Sequence, residues 1–145
     1  PLLGVDAVDA VGLSARQGPW EAGSEDAAMA LVRYDGGVLV STHDAFAVPY
    51  APTGLEVYGD EGSIVATDVM TQDPAGRITL RDRTGVREVE VGERRDLYQI
   101  VLAAFARAVR GEGEPTATGR DGLAAFAVAH AVLESTRSGR REPVR

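Results

Sequence analysis

From Asp9 to Val91 the chain alternates apolar and polar residues in short runs punctuated by glycine and proline; from Asp96 onward apolar residues recur every three or four positions. Alternation of period two predicts half-buried strands, and a period near 3.6 predicts helices. The first predicted strand is Asp9–Gln17, and a loop with Gly18, Pro19, Gly23 and Ser24 separates it from a second, Ala27–Tyr34. Asp35-Gly36-Gly37 predicts a hairpin turn, because glycine supplies the positive φ that tight turns need, and Val38–Ala45 is the return strand. A loop with Pro49 and Pro52 follows, since proline cannot donate to a central ladder. Leu55–Tyr58, the turn Gly59–Gly62 and Ser63–Thr67 come next, then Arg77–Arg81 and Val86–Val91 about a turn at Gly85. About seven strands thus precede the first helix.

Asp96 can cap that helix, with Leu97, Ile100, Val101, Ala104, Phe105, Ala108 and Val109 on one stripe and Gly111 placed for a left-handed C-terminal cap. Thr118 with Asp121 forms a capping box for a second, alanine-rich helix closed by Gly139, and Leu123, Phe126, Ala127, His130 and Leu133 share one of its faces. Strands first and helices afterwards reads as α+β: an open, largely antiparallel (mixed) sheet with helices packed on one face. Ala27–Tyr34 is apolar on both sides, with Ala28, Ala30 and Val32 on one and Met29 and Leu31 on the other. Such a strand needs cover on each face. The helices supply one cover; the other face, at Met29 and Leu31, needs something else to cover it.

Composition narrows the function classes. At 145 residues and 44% hydrophobic content the chain can form a globular domain with its own core. No apolar run approaches a membrane span and no leader pattern opens the sequence. The absence of cysteine fits a cytoplasmic location. Fifteen basic residues against 22 acidic give a net charge of −7, with arginines scattered among acids, which argues against a nucleic-acid or anionic-membrane surface. Every basic residue is arginine, so the chain offers no lysine for proton transfer, Schiff-base or phosphate-loop chemistry. Asparagine is absent as well, and with the Ala, Gly, Val and Arg bias this points to a GC-rich bacterial genome. Pro1 leads straight into Leu-Leu-Gly, which reads as the end of an earlier helix in a truncated chain.

Few residues carry candidate chemistry. Gly111-Glu112-Gly113 is the nearest approach to a dinucleotide fingerprint, but Thr116 stands at the third glycine, the motif follows a helix rather than a strand, and its glutamates would repel a pyrophosphate. No dinucleotide site is expected in this chain, and His43 and His130 are too few for a metal site. His43 and Asp44 are neighbours on a strand and point to opposite faces, so they form no dyad. His43 is either a polar residue at a strand end or a donor or proton relay lining a substrate cleft. The run Phe46–Pro52 holds Phe46 and Tyr50 between prolines, either as loop packing or as a wall of that cleft or of a subunit contact. Trp20 reads as an anchor at the edge of the core, His130 as a core or interface histidine, and Glu88 and Glu90 as the solvated side of an edge strand.

The segment PTATGRDGLAAFAVAHAVLESTRSGR (Pro115–Arg140) resembles the C-terminal end of the glucose-fructose oxidoreductase / inositol dehydrogenase / rhizopine-catabolism (Gfo/Idh/MocA) family, and GLEVYGDEGSI (Gly54–Ile64) resembles a strand–turn–strand of that family's second domain. The resemblance covers nearly the whole chain but only the back half of such a protein. It implies an N-terminal Rossmann domain, absent from this chain, that binds NAD or NADP. The present domain, residues 1–145, would help build the cleft for a sugar, cyclitol or similar small alcohol or ketone oxidised or reduced by hydride transfer. The family's proton-handling lysine, in a Glu-Lys-Pro context, and its cleft Asp and His would all precede Pro1, so no catalytic residue is carried over. It also implies that the bare sheet face forms a homodimer or higher oligomer. A free-standing or catalytically dead binding or dimerisation module is the alternative.

Overall fold

The computed structural model describes residues 3–18 and 25–145. The strands are β1 (Ala7–Ala15), β2 (Ala27–Tyr34), β3 (Leu39–Ala45), β4 (Gly54–Tyr58), β5 (Gly62–Thr67), β6 (Arg77–Asp82) and β7 (Gly85–Val89), followed by helices α1 (Leu97–Val109) and α2 (Gly119–Ser138) and a short strand β8 (Glu142–Pro143). The α+β class and the seven strands before the first helix are as the sequence predicts. The strands do not form one sheet, however. They divide into two four-stranded antiparallel sheets, ordered β3-β2-β1-β8 and β4-β5-β6-β7. Two compact units follow this division: residues 1–49 with 117–145, and residues 50–116. Trp20 and most of its loop lie outside the described residues.

In the first unit, α2 packs along β1 and meets β8, and Val32 of β2 joins the same core cluster. The buried residues of the helix are Ala131 and Ser135, packed with Ala10 and Val32 and flanked by the partly buried Val128 and Val132. The predicted face of Leu123, Phe126, Ala127, His130 and Leu133 is therefore not the one that meets the sheet. Steric fit decides the matter. A Cβ on Gly12 would come within 2.8 Å of a Val132 methyl and 3.0 Å of its carbonyl oxygen, so helix and strand touch nearly backbone to backbone. Only the small-residue side of α2 can approach so closely. His130 is accordingly exposed, its ring stacked 6.1 Å from Phe126.

Ser135 completes the join. It is 1% exposed, accepts a hydrogen bond from the Gly12 N–H at 3.0 Å and donates one to the Arg140 carbonyl at 2.5 Å. β8 pairs with β1 only at Asp9 and Ala10, so the serine serves a strand donor that lies past the end of that pairing. Asp121 accepts from the Thr118 N–H at 2.8 Å while the Thr118 hydroxyl accepts from the Asp121 N–H at 3.2 Å, the expected capping box. Gly139 ends the helix in the left-handed region at φ 67°.

In the second unit, Asp96 caps α1 by accepting from the Gln99 N–H at 2.9 Å, and Gly111 follows the helix at φ 76°, both as predicted. No residue of α1 is buried; Val101, Phe105 and Val109 are half-exposed or more. β7 is an edge strand, as expected from its charges, and Glu88 pairs with Arg77 at 3.5 Å. The β6–β7 turn is held by Asp82, whose carboxylate accepts from the Thr84 hydroxyl at 2.5 Å, the Thr84 N–H at 2.8 Å and the Arg87 guanidinium at 2.8 Å. Those donors, the Thr84 hydroxyl foremost, lower its pKa to about 2. A folded-state pKa below the unfolded value of about 3.9 stabilises the turn above pH 4, and that contribution disappears as pH falls through about 2. Asp82→Asn should therefore lower the melting temperature at pH 7. In thermal scans by circular dichroism the gap to the unmutated chain should close between pH 4 and pH 2; a gap constant with pH would show that the charge is irrelevant.

Candidate functional site

The register of the first sheet assembles its second face. Three cross-strand rows lie on the side away from α2: Leu13, Met29 and His43; Val11, Leu31 and Ser41; and Asp9, Arg33 and Leu39. Leu13 and Leu39 are each 75% exposed, Leu31 61%, Met29 53% and Val11 43%. The face is thus a nearly continuous apolar surface, and the predicted pair Met29 and Leu31 occupies its middle strand. Its carboxylate, Asp9, pairs with Arg33, and Arg141 approaches the same carboxylate at 3.6 Å. The face thus does not share the excess of acid that gives the chain its −7. Specific interfaces are distinguished by this kind of uncharged apolar centre.

His43 stands opposite Met29 on this face, and Asp44, its neighbour, points to the other side. The predicted absence of a dyad follows directly from the strand geometry. Beyond β3, Phe46 is 84% exposed, with its N–H bound to the Asp26 carbonyl at 2.9 Å. The Asp26 carboxylate accepts from the Gln17 and Gly18 N–H groups at 2.7 and 2.8 Å. These donors, that of Gln17 first, hold its pKa below the ordinary value. Tyr50, 98% exposed, opens the second unit.

The second unit holds a wide concavity of about 590 Å³ at the β4–β5 turn, lined by Tyr58, Asp60, Glu61, Arg81, Asp82 and Arg83. The Tyr58 hydroxyl donates to Glu56, which raises its pKa by favouring the phenol over the phenolate. Charged walls and a wide opening to solvent make this a poor small-molecule site. Among the described residues no cluster of three or more His, Cys, Asp or Glu could hold a metal ion, and no helix is long and apolar enough to cross a membrane.

Among the described residues, the loop nearest in sequence to a dinucleotide fingerprint does not have the geometry of one. Gly111 and Gly113 lie in the loop that closes α1, and Glu112 there pairs with Arg110 at 3.0 Å. A pyrophosphate cradle requires a strand feeding a glycine turn into a helix N-terminus, and both helices are reached through long non-strand segments.

The family model described as the oxidoreductase family, C-terminal alpha/beta domain, matches residues 2–145. The chain belongs to the Gfo/Idh/MocA oxidoreductase family. As a C-terminal domain of that family it is 41% identical over 138 residues to a 1,5-anhydro-D-fructose reductase of Ensifer adhaerens, a match covering 95% of this chain and 41% of that protein. The fold is that of an aldose-aldose oxidoreductase from Caulobacter crescentus complexed with glycerol (TM-score 0.87, 17% identity, 98% of this chain and 42% of that one). It is also that of the WlbA dehydrogenase of Bordetella pertussis in complex with NADH and UDP-GlcNAcA (TM-score 0.73, 17% identity, 97% and 41%). The chain thus spans about two fifths of the length of the relatives it matches.

Sequence reasoning missed β8, the division into two sheets and the small-residue face of α2. The last had a signal in Val128, Ala131, Val132 and Ser135, which recur every three or four residues on the side opposite Leu123 and Phe126.

Proposed function

We propose that this chain is the C-terminal domain of a cytoplasmic oxidoreductase that transfers hydride between NAD or NADP and a sugar, cyclitol or similar small alcohol or ketone. The observation that carries this reading is the 41% identity to a sugar reductase over 95% of the chain. The nucleotide belongs to a preceding Rossmann domain, because this chain lacks both the glycine turn and any lysine. When bound there it would supply or accept the hydride. The residues of this chain bind and orient substrate and join subunits: His43, Phe46 and Tyr50 are proposed for the substrate cleft, and Met29 and Leu31 for a homodimer or higher oligomer through the open sheet face. Tyr50→Phe should then lower kcat/KM by about 1–2 kcal/mol with little change in melting temperature.

The test is made on the full-length protein. It should oxidise NADH or NADPH in the presence of a 2-keto sugar, followed by loss of absorbance at 340 nm, whereas calorimetric titration of residues 1–145 with either nucleotide should give no heat of binding. Micromolar nucleotide binding by the isolated domain would overturn the assignment. A full-length protein that neither binds nucleotide nor turns over would favour a catalytically dead module instead.

A further inference from the structure

We infer that Asp26 is a positioning residue for the proposed substrate cleft: its carboxylate holds the chain leaving β1, at Gln17 and Gly18, beside the chain leaving β3, at Phe46. The inference rests on the reading of His43 and Phe46 as cleft residues. Ala15, Ala27 and Ala45 form the last cross-strand row at one end of the first sheet. Asp26 stands just beyond that row and extends the ladder on both sides. Its N–H donates to the Ala15 carbonyl at 3.2 Å, and its carbonyl accepts from the Phe46 N–H at 2.9 Å. Its carboxylate reaches further along the chain, accepting from the Gln17 N–H at 2.7 Å and the Gly18 N–H at 2.8 Å. One residue thus joins the exits of β1 and β3, and His43 lies two positions before the same row.

The fold does not depend on this carboxylate. The backbone bonds to Ala15 and Phe46 persist whatever side chain occupies position 26, and the core cluster of Ala10, Val32 and Ala131 lies several rows away along the strands. The Gln17 and Gly18 amides sit past the last row, with Gln17 exposed and Gly18 half-buried, where water would serve them. Fixing such a segment costs backbone entropy and buries no apolar side chain in return. Strand-end segments held by a rigid sheet are where binding groups sit, and a binding group keeps its geometry only when a further layer of contacts supports it. A carboxylate that accepts from two backbone N–H groups is a charge-assisted clamp. Those donors, Gln17 first, keep the Asp26 carboxyl below its ordinary pKa, so the clamp is charged and closed at neutral pH. Phe46, 84% exposed, is tied to the same residue. An exposed aromatic ring beside a fixed polar segment matches a sugar or cyclitol, whose C–H face is apolar and whose rim carries hydroxyls.

The test uses the full-length protein with NADH or NADPH and a 2-keto sugar. Asp26→Ala should raise the KM for the sugar about tenfold, with kcat and the KM for nucleotide within about twofold and the melting temperature little changed. Asp26→Asn should fall between, since its amide offers one acceptor oxygen and turns N–H groups toward the second donor. Phe46→Ala should raise the same KM, and the double variant should fall short of the product of the two effects, as for residues acting at one place. Amide exchange read by mass spectrometry should quicken at Gln17 and Gly18 in Asp26→Ala, and the sugar should slow it there in the unmutated protein but not in the variant. A sugar KM unchanged in Asp26→Ala would overturn the inference. So would a joint loss of kcat, nucleotide affinity and melting temperature, which would make the clamp a matter of the fold alone. Fully multiplicative effects of Asp26→Ala and Phe46→Ala would likewise separate the carboxylate from the cleft wall. An unmutated protein with no turnover, whose exchange at Gln17 and Gly18 the sugar leaves unaltered, would sink the proposed activity itself and the clamp's role with it.

Discussion

Met29→Glu combined with Leu31→Glu is expected to abolish the self-association proposed for the open sheet face. Both side chains lie in the middle strand of the open face, between Leu13 and His43 in one row and between Val11 and Ser41 in the next. Closure of a twofold interface over this patch would place four carboxylates in a largely apolar contact whose own carboxylate, Asp9, is already paired with Arg33. Removing a carboxylate from water without a partner costs several kcal/mol, so even partial burial weakens association by more than 100-fold. Because both residues are more than half exposed within a single chain, the substitutions should leave the fold and its melting temperature intact. Light scattering on the eluting peak at micromolar concentration should give at least twice the chain mass for the unmutated protein and the single chain mass for the variant. An unmutated chain that elutes as a monomer, or a variant that keeps its mass, would show that this face does not associate.

Ser135→Ala should be the most damaging single-atom change in the first unit. Ser135 is buried to 1% exposure and serves two backbone groups, the Gly12 N–H and the Arg140 carbonyl. Alanine removes both contacts and leaves an orphaned donor in a strand against which α2 is too close to admit water, since Val132 already lies 2.8 Å from where a Gly12 Cβ would be. The cost of an unsatisfied buried backbone group is about 1–3 kcal/mol. Denaturant titration should place the loss at about 2–3 kcal/mol, with Ser135→Thr worse still through steric conflict at the same contact. A loss under about 0.5 kcal/mol would mean that β8 or water takes over the two groups.

Local chemistry made much of this fold readable. The Asp35-Gly36-Gly37 turn, the Thr118–Asp121 box, the Asp96 cap and the Gly139 terminus each depend on two to four adjacent residues, so a linear reading recovers them. The two-sided strand Ala27–Tyr34 was legible for the same reason: alternation within one strand reports how many faces need cover. The candidate site was legible only in part. Met29 and Leu31 follow from that alternation, but the placing of His43 in their row depends on the β2–β3 register, which no single strand contains.

What the sequence by itself determined is therefore the local grammar: class, element order, caps, turns, and the apolar character of both sides of β2. Its two longer motifs also carried the family. Tertiary structure alone decided which side of α2 meets the sheet. Both sides are apolar, and hydrophobic periodicity cannot rank them; the choice falls to the close approach at Gly12, which admits Val132 and Ala131 and excludes Phe126. It also decided that β1–β3 and β4–β7 pair among themselves, because strand pairing is set by long-range hydrogen bonds that period-two patterning leaves open. Leu123 and Phe126 were displaced to the outside by that same steric contest.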